Sequence, residues 1–204
     1  MAEPIRALVV ATRNPGKIRE LHALLSDLPL ELRPADGMPE VEETGATFAE
    51  NAELKARAAA SWSGGWAIGE DSGLEVDALD GGPGVYSNRF AGEGTTEADR
   101  NRRLLELLAG VPAERRTARY RAVLCLAAPD GRVWLFEGVC EGRIAEAPRG
   151  EGGFGYDPLF HLPQFDQRVA ELAPEVKNRI SHRGRAVEAA RGLLARLCGL
   201  ERQP

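Results

Sequence analysis

Two long strand-forming runs, 118–128 and 133–140, are separated by little more than Pro129, Asp130 and Gly131, and this constrains the chain more than any other feature. Turn residues between such runs predict a β-hairpin, and therefore antiparallel pairing. The N-terminal half reads differently. Residues 5–12 form a buried strand candidate, Asn14, Pro15 and Gly16 punctuate it, and Ile18, Leu21, Leu24 and Leu25 then recur at helical spacing over 17–25. Residues 30–33 are a short strand candidate. Thr47 and Glu50 form a capping box that opens an alanine-rich helix reaching about Trp62. Residues 66–69 read as a strand leading into Glu70, Asp71, Ser72 and Gly73, and 74–76 as a further short strand. Strand–helix alternation followed by antiparallel strands predicts a mixed α/β sheet with flanking helices, in two lobes around a cleft.

Further along, the glycine-rich stretch 80–94 reads as loop. Thr96 and Asp99 start another helix that runs to about Ala109 and is closed by Gly110, Val111 and Pro112. Ile144 is expected in a third strand, 167–172 in a weak helical piece, and a C-terminal helix should open at Ser181 or His182 and run to about Leu197. No internal repeat or low-complexity linker divides the 204 residues, so one domain over 1–204 is expected. Trp62, Trp66 and Trp134 lie in core-like patterns and read as packing residues.

The net charge of -5 argues against a long nucleic-acid partner, which demands a concentrated positive surface. It leaves room for a small anion held in a local basic pocket. Cys125, Cys140 and Cys198 are odd in number, widely spaced and without a C-x-x-C pair, which favours reduced thiols over disulfides or zinc. No apolar run approaches membrane-spanning length and no signal peptide is visible at the start, so a soluble, cytoplasmic protein with no membrane partner is expected.

Residues that could carry chemistry fall in several places. Gly152, Gly153, Phe154, Gly155, Tyr156 and Asp157 form a glycine-rich run followed by Lys177, Ser181, His182 and Arg183. Such a run lets the backbone approach a ligand, either aromatic can cover a ring face, and the cations suit phosphate or a carbonyl edge; a nucleotide has all these properties. Phe154 is the better candidate for stacking on a base. Thr12, Arg13, Asn14, Pro15, Gly16 and Lys17 join a strand to a helix, where N–H groups and the helix dipole can meet phosphate, although turn geometry alone explains the same residues. Glu40, Glu42 and Glu43 cluster in an acidic loop that reads equally as solvated surface or as magnesium ligands. Glu70 and Asp71 are harder to dismiss, because charge beside buried strands is costly without a purpose. Lys55 stands one helical turn from Asn51, and on its own reads as a solvated face residue. His182 could cap a helix or titrate near neutrality.

Taken in order, these segments resemble the inosine triphosphate pyrophosphatase family, which cleaves noncanonical purine nucleoside triphosphates. The resemblance rests on Thr12, Asn14 and Lys17, on the stretch from Glu42 to Ala56, on Asp71, Ser72, Gly73 and Leu74, on Pro83 to Ser87, on Gly152 to Pro158, and on Lys177 to Gly184. It implies an elongated mixed α/β fold with a central cleft, a homodimer, and Mg2+-dependent hydrolysis of ITP, dITP and XTP to monophosphate and pyrophosphate. By position it implies that Thr12 to Lys17 and Lys55 hold the triphosphate. Asp71 would serve the metal and act as general base, with Glu42 or Glu43 also at the metal. Ser72 would contact the nucleotide, and Phe154, Gly155, Tyr156 and Asp157 would form the base pocket. Lys177, His182 and Arg183 would read the purine edge or the phosphates. Where the family often carries two aspartates, this chain has Glu70 and Asp71.

Selectivity would then rest on the purine six-position. Inosine and xanthine present a carbonyl acceptor there and adenine an amino donor, so donors such as Lys177 and Arg183 would favour the former. Two other readings remain. One is a pyrophosphatase of the septum-formation-inhibitor type, acting on pyrimidine or modified nucleotides, whose S-x-R-R signature differs from Asn14 and Lys17. The other is a nucleotide-binding module without catalysis, for which Asp71, Glu42 and Glu43 would be superfluous.

Overall fold

The computed structural model describes residues 3–200; the ends of the domain expected over 1–204 lie outside them. Strand β1 (Ala7–Ala11) leads into α1 (Pro15–Leu24), β2 (Glu31–Pro34), α2 (Phe48–Ser63) and β3 (Ala67–Val76). Then come α3 (Glu97–Leu107), β4 (Thr117–Ala127), β5 (Val133–Ile144), β6 (Phe160–Leu162), β7 (Gln167–Arg168), α4 (Pro174–Ile180) and α5 (His182–Leu197). The strands form one mixed sheet in the order β2-β1-β3-β4-β5-β6-β7. β1 is parallel to both β2 and β3, whereas β6 is antiparallel to β5 and β7. The expected hairpin joins β4 to β5, closed by the Ala128 N–H donating to the Arg132 carbonyl at 2.9 Å.

The chain divides into two compact units, one comprising the chain up to Asp71, Ala122–Gly138 and the chain from Arg183, the other Ser72–Arg121 and Val139–His182. In the first, the crossovers β1–α1–β2 and β2–α2–β3 step in opposite directions along the sheet. Right-handed crossovers therefore put α1 and α2 on opposite faces. On one face Leu8, Val10, Ile68, Leu124 and Leu126 meet Leu21 of α1, Leu25 just beyond its end, and Val187, Ala190 and Leu194 of α5. On the other, the alanines of α2 lie so close to β3 that a Cβ at Gly69 would sit 2.4 Å from the Ala52 carbonyl oxygen. The second unit has its own core, in which Leu74, Val76, Leu104, Leu108, Tyr120, Ile144, Leu159, Phe160 and Leu162 pack together.

Several expectations change. Residues 66–76 do not break into two short strands at the acidic pair; β3 runs through Glu70 and Asp71 because both carboxylates find cationic partners. Ile144 ends β5 and does not belong to a third strand. Residues 167–172 begin as the short strand β7 and continue as a single 3-10 turn, Val169–Glu171. Trp66 stacks on Trp134 with centroids 5.6 Å apart, but Trp62 is 47% exposed and is not a core residue. The three cysteines are free and buried, and burial pushes the Cys125 thiol up to about 12. No helix among the described residues is long and apolar enough to cross a membrane.

Candidate active site

In the first unit the site is built on β3. Successive side chains of a strand point to opposite faces, so Asp71 follows Gly69 towards α2 while Glu70 follows Ile68 towards α1 and α5. Asp71 is buried. One of its oxygens accepts from Lys55 Nζ at 3.0 Å and the other from Asn51 Nδ2 at 3.3 Å. Asn51 and Lys55 are one turn apart on α2, whose start is fixed by the Thr47–Glu50 capping box. Lys55 also donates to Glu43 at 2.8 Å. Burial raises the Asp71 carboxyl above its ordinary value, against the pull of Lys55 and Lys17 and with a further push from Glu43. Burial would lower the Lys55 ammonium, but Asp71 and Glu43 outweigh it and hold the lysine charged.

On the opposite face, Glu70 makes a two-point ion pair with Arg183, accepting from Nε at 2.7 Å and from Nη2 at 2.8 Å. Glu20 of α1 engages Arg183 Nη1. Lys17, one turn before Glu20, lies 3.6 Å from Glu70. Its ammonium is lowered by burial, with Glu70 opposing and Lys55 and Arg183 adding to the fall. A guanidinium has five N–H donors in one plane, and these carboxylates fix that plane. Glu70 thus compensates two buried cations, Arg183 and Lys17, and the extra methylene relative to aspartate extends its reach.

Thr12 to Lys17 lie where expected, at the mouth of α1. Asn14 spends its side-chain oxygen on its own helix, accepting from the N–H groups of Gly16 at 2.8 Å and Lys17 at 3.2 Å, and Thr12 Oγ1 accepts from the Asn14 N–H. Pro15 occupies the first turn, where its missing N–H costs nothing. Arg13 is exposed and donates to the Met38 carbonyl at 2.8 Å. Of the two loop glutamates, Glu43 joins Lys55 and Asp71 whereas Glu42 is exposed. Among the described residues no three His, Cys, Asp or Glu side chains converge as a ready-made metal cage. Magnesium needs no such cage; it takes one or two carboxylates, substrate phosphate oxygens and waters. Asp71 with Glu43 fits that requirement.

The second unit holds the glycine run. Gly153 has φ +75°, and a Cβ there would meet Asp157 Oδ2 at 2.1 Å, so only glycine fits. Asp157 is buried and accepts from the Phe154 N–H at 2.9 Å, Lys177 Nζ at 2.6 Å and the Tyr120 hydroxyl at 3.1 Å. The Lys177 ammonium stands 4.7 Å from the Phe154 ring centre. Asn101 of α3 donates to the Gly155 carbonyl at 3.0 Å. Tyr156 turns inward and is not a ring-covering residue: it packs in the unit's core and its hydroxyl donates to the Ser87 carbonyl at 2.8 Å. Phe154 is the half-buried aromatic of the run. A small cavity is lined by Tyr120, Cys140, Asp157, Lys177 and His182 among others. Ser72 follows Asp71 along β3, half-buried.

Residues 8–192 match the sequence profile of the Ham1 family. The chain belongs to the Ham1 family. A dITP/XTP pyrophosphatase from Desulforamulus reducens is 53% identical over 193 residues, covering 93% of this chain and 96% of that relative. One from Symbiobacterium thermophilum is 55% identical over 183 residues, covering 89% and 91%. Among solved structures, a HAM1 protein from Coxiella burnetii superposes with a TM-score of 0.86 at 41% identity, covering 94% of this chain and 100% of that one. The Staphylococcus aureus Ham1 protein does so with 0.82 at 39% identity, covering 96% and 100%. Within this Ham1 chain the sequence reading missed Asn51, Glu20, Asn101 and Tyr120. Asn51 alone carried a signal, its spacing of one helical turn from Lys55; the other three act through partners distant in sequence.

Proposed function

We propose that this chain hydrolyses deaminated purine nucleoside triphosphates, such as dITP and XTP, to the nucleoside monophosphate and pyrophosphate. The carrying observation is Asp71, a buried carboxylate with a raised pKa gripped by Lys55 and Asn51. A second acid, Glu43, stands on the same lysine at 2.8 Å. The arrangement suits a group that must accept a proton and sit beside a polyanion.

In this reading Asp71 orients and deprotonates a water for in-line attack on the α-phosphorus, while Lys55 and Lys17 neutralise charge growing on the departing pyrophosphate. Asn51 holds the Asp71 carboxylate in register. Asp71 and Glu43 would hold Mg2+, which supplies charge neutralisation along the triphosphate when bound. Thr12, Asn14 and the first turn of α1 are assigned to the phosphates. In the second unit Phe154 offers a face to the base, and Lys177 and His182 are assigned to the purine edge. The same proposal includes a homodimer in the cytoplasm, where three buried thiols stay reduced; sedimentation of the purified protein tests the dimer.

The deciding experiment incubates the protein with Mg2+ or EDTA and each nucleoside triphosphate in turn, and identifies the products. Pyrophosphate from dITP and XTP, lost in EDTA, with much slower turnover of dATP, is expected. Orthophosphate as the product, or preference for a pyrimidine nucleotide, would contradict it.

A further inference from the structure

The groups assigned to the base come from well-separated parts of the chain: Phe154 from the glycine run, Lys177 from α4 and His182 from the first residue of α5. Tyr120 of β4 touches their supports from two directions. Its ring lies between Phe160, with centroids 4.3 Å apart, and His182, at 4.8 Å with an interplanar angle of 22°. Its hydroxyl donates to Asp157, whose other oxygen accepts from both Lys177 and the Phe154 backbone. Burial, reinforced by Asp157, raises the phenol well above its ordinary range, so it stays a donor at every working pH. The same side chain also lines the cavity that Asp157, Lys177 and His182 border.

We infer that Tyr120 is a positioning residue for base recognition. Resting on the function proposed above, it sets the imidazole plane of His182 by stacking and the Phe154–Lys177 arrangement through Asp157. Aligned donors discriminate between a carbonyl and an amino group better than donors that can swing. The contacts of Tyr120 run to Phe160, His182 and Asp157, which support the groups assigned to the base, so its effect belongs in binding and selectivity and not in the chemical step.

The test compares steady-state kinetics of wild type, Tyr120→Phe and Tyr120→Leu with dITP, XTP and dATP, at equal concentrations of folded protein. Tyr120→Phe keeps the stack and loses one hydrogen bond, so KM for dITP should rise roughly 3- to 10-fold while kcat stays within about twofold. Tyr120→Leu loses the stack as well, and should raise KM further and narrow the preference for dITP over dATP. A merely structural role would lower the yield or melting temperature of the folded protein and leave KM and the preference unchanged; that result overturns the inference. If Tyr120→Leu does not fold, Tyr120→Phe decides alone. Wild type inert towards dITP and XTP would instead bring down the function on which the inference rests, and the inference with it.

Discussion

At Asp71 two physical effects oppose each other. Burial favours the neutral acid, while Lys55 and Lys17 favour the carboxylate; burial is the larger, and the carboxyl rises above its ordinary 3.8. An acid whose pKa is higher folded than unfolded binds its proton more tightly in the native state. Its contribution to stability therefore declines as pH climbs from 3.8 to the folded value and is constant above it. Activity runs the other way, because a general base must be ionised. The acidic limb of kcat/KM for dITP should thus lie above the ordinary aspartate range, and Lys55→Met should move it further up by removing a cation that holds the pKa down. A limb that stays put in Lys55→Met would show that another group titrates. The two loop glutamates separate just as sharply. Glu43→Gln should weaken activation by Mg2+ by roughly 10-fold or more, whereas Glu42→Gln, on an exposed side chain, should leave the magnesium titration unchanged. Equal effects in the two variants would remove Glu43 from the metal.

At the scale of elements, the contact of α2 with β3 sets the distance between Lys55 and Asp71. Gly69 permits it, since a methyl there would lie 2.4 Å from the Ala52 carbonyl oxygen and 2.6 Å from the Ala56 nitrogen. Gly69→Ala should cost about 1–3 kcal/mol from overpacking, lower the melting temperature by several degrees and reduce kcat as the helix is pushed away. Thermal unfolding and turnover measured together check this, and an unchanged melting temperature would refute the close approach. Much of this architecture is legible beforehand. Local signals such as the Thr47–Glu50 box and the apolar spacing of Leu21 and Leu25 locate α1 and α2, and the turn at Pro129 to Gly131 locates the β4–β5 hairpin. β3 is not legible as one strand, because its acids are tolerated only through Arg183, Lys17 and Lys55, which come from elsewhere in the chain. α4 lacks a side-chain cap hydrogen bond at its start and left no mark. Asp71 and Lys55 announce themselves by residue type and spacing. Tyr120 looks like any strand aromatic until its hydroxyl is seen on Asp157.

At the scale of the molecule, each unit has its own core and its own cluster of functional groups: acids and lysines around β3 in the first, the glycine run with Phe154, Lys177 and His182 in the second. A chain of net charge -5 buries Lys17, Lys55, Lys177 and Arg183 beside the carboxylates of Glu70, Asp71 and Asp157, and such small enclosed cationic groups serve a small anion better than a polymer. These assignments depend first on the chemistry at one carboxylate. The most direct measurement is pyrophosphate release from dITP by Asp71→Asn beside wild type, with far-UV circular dichroism confirming the fold. Glu43 remains to pair with Lys55 in that variant, so the spectrum should be native. Turnover should fall by roughly 10²- to 10⁴-fold, the contribution expected of a positioned general base. A natively folded Asp71→Asn protein that releases pyrophosphate at the wild-type rate would contradict the assignment.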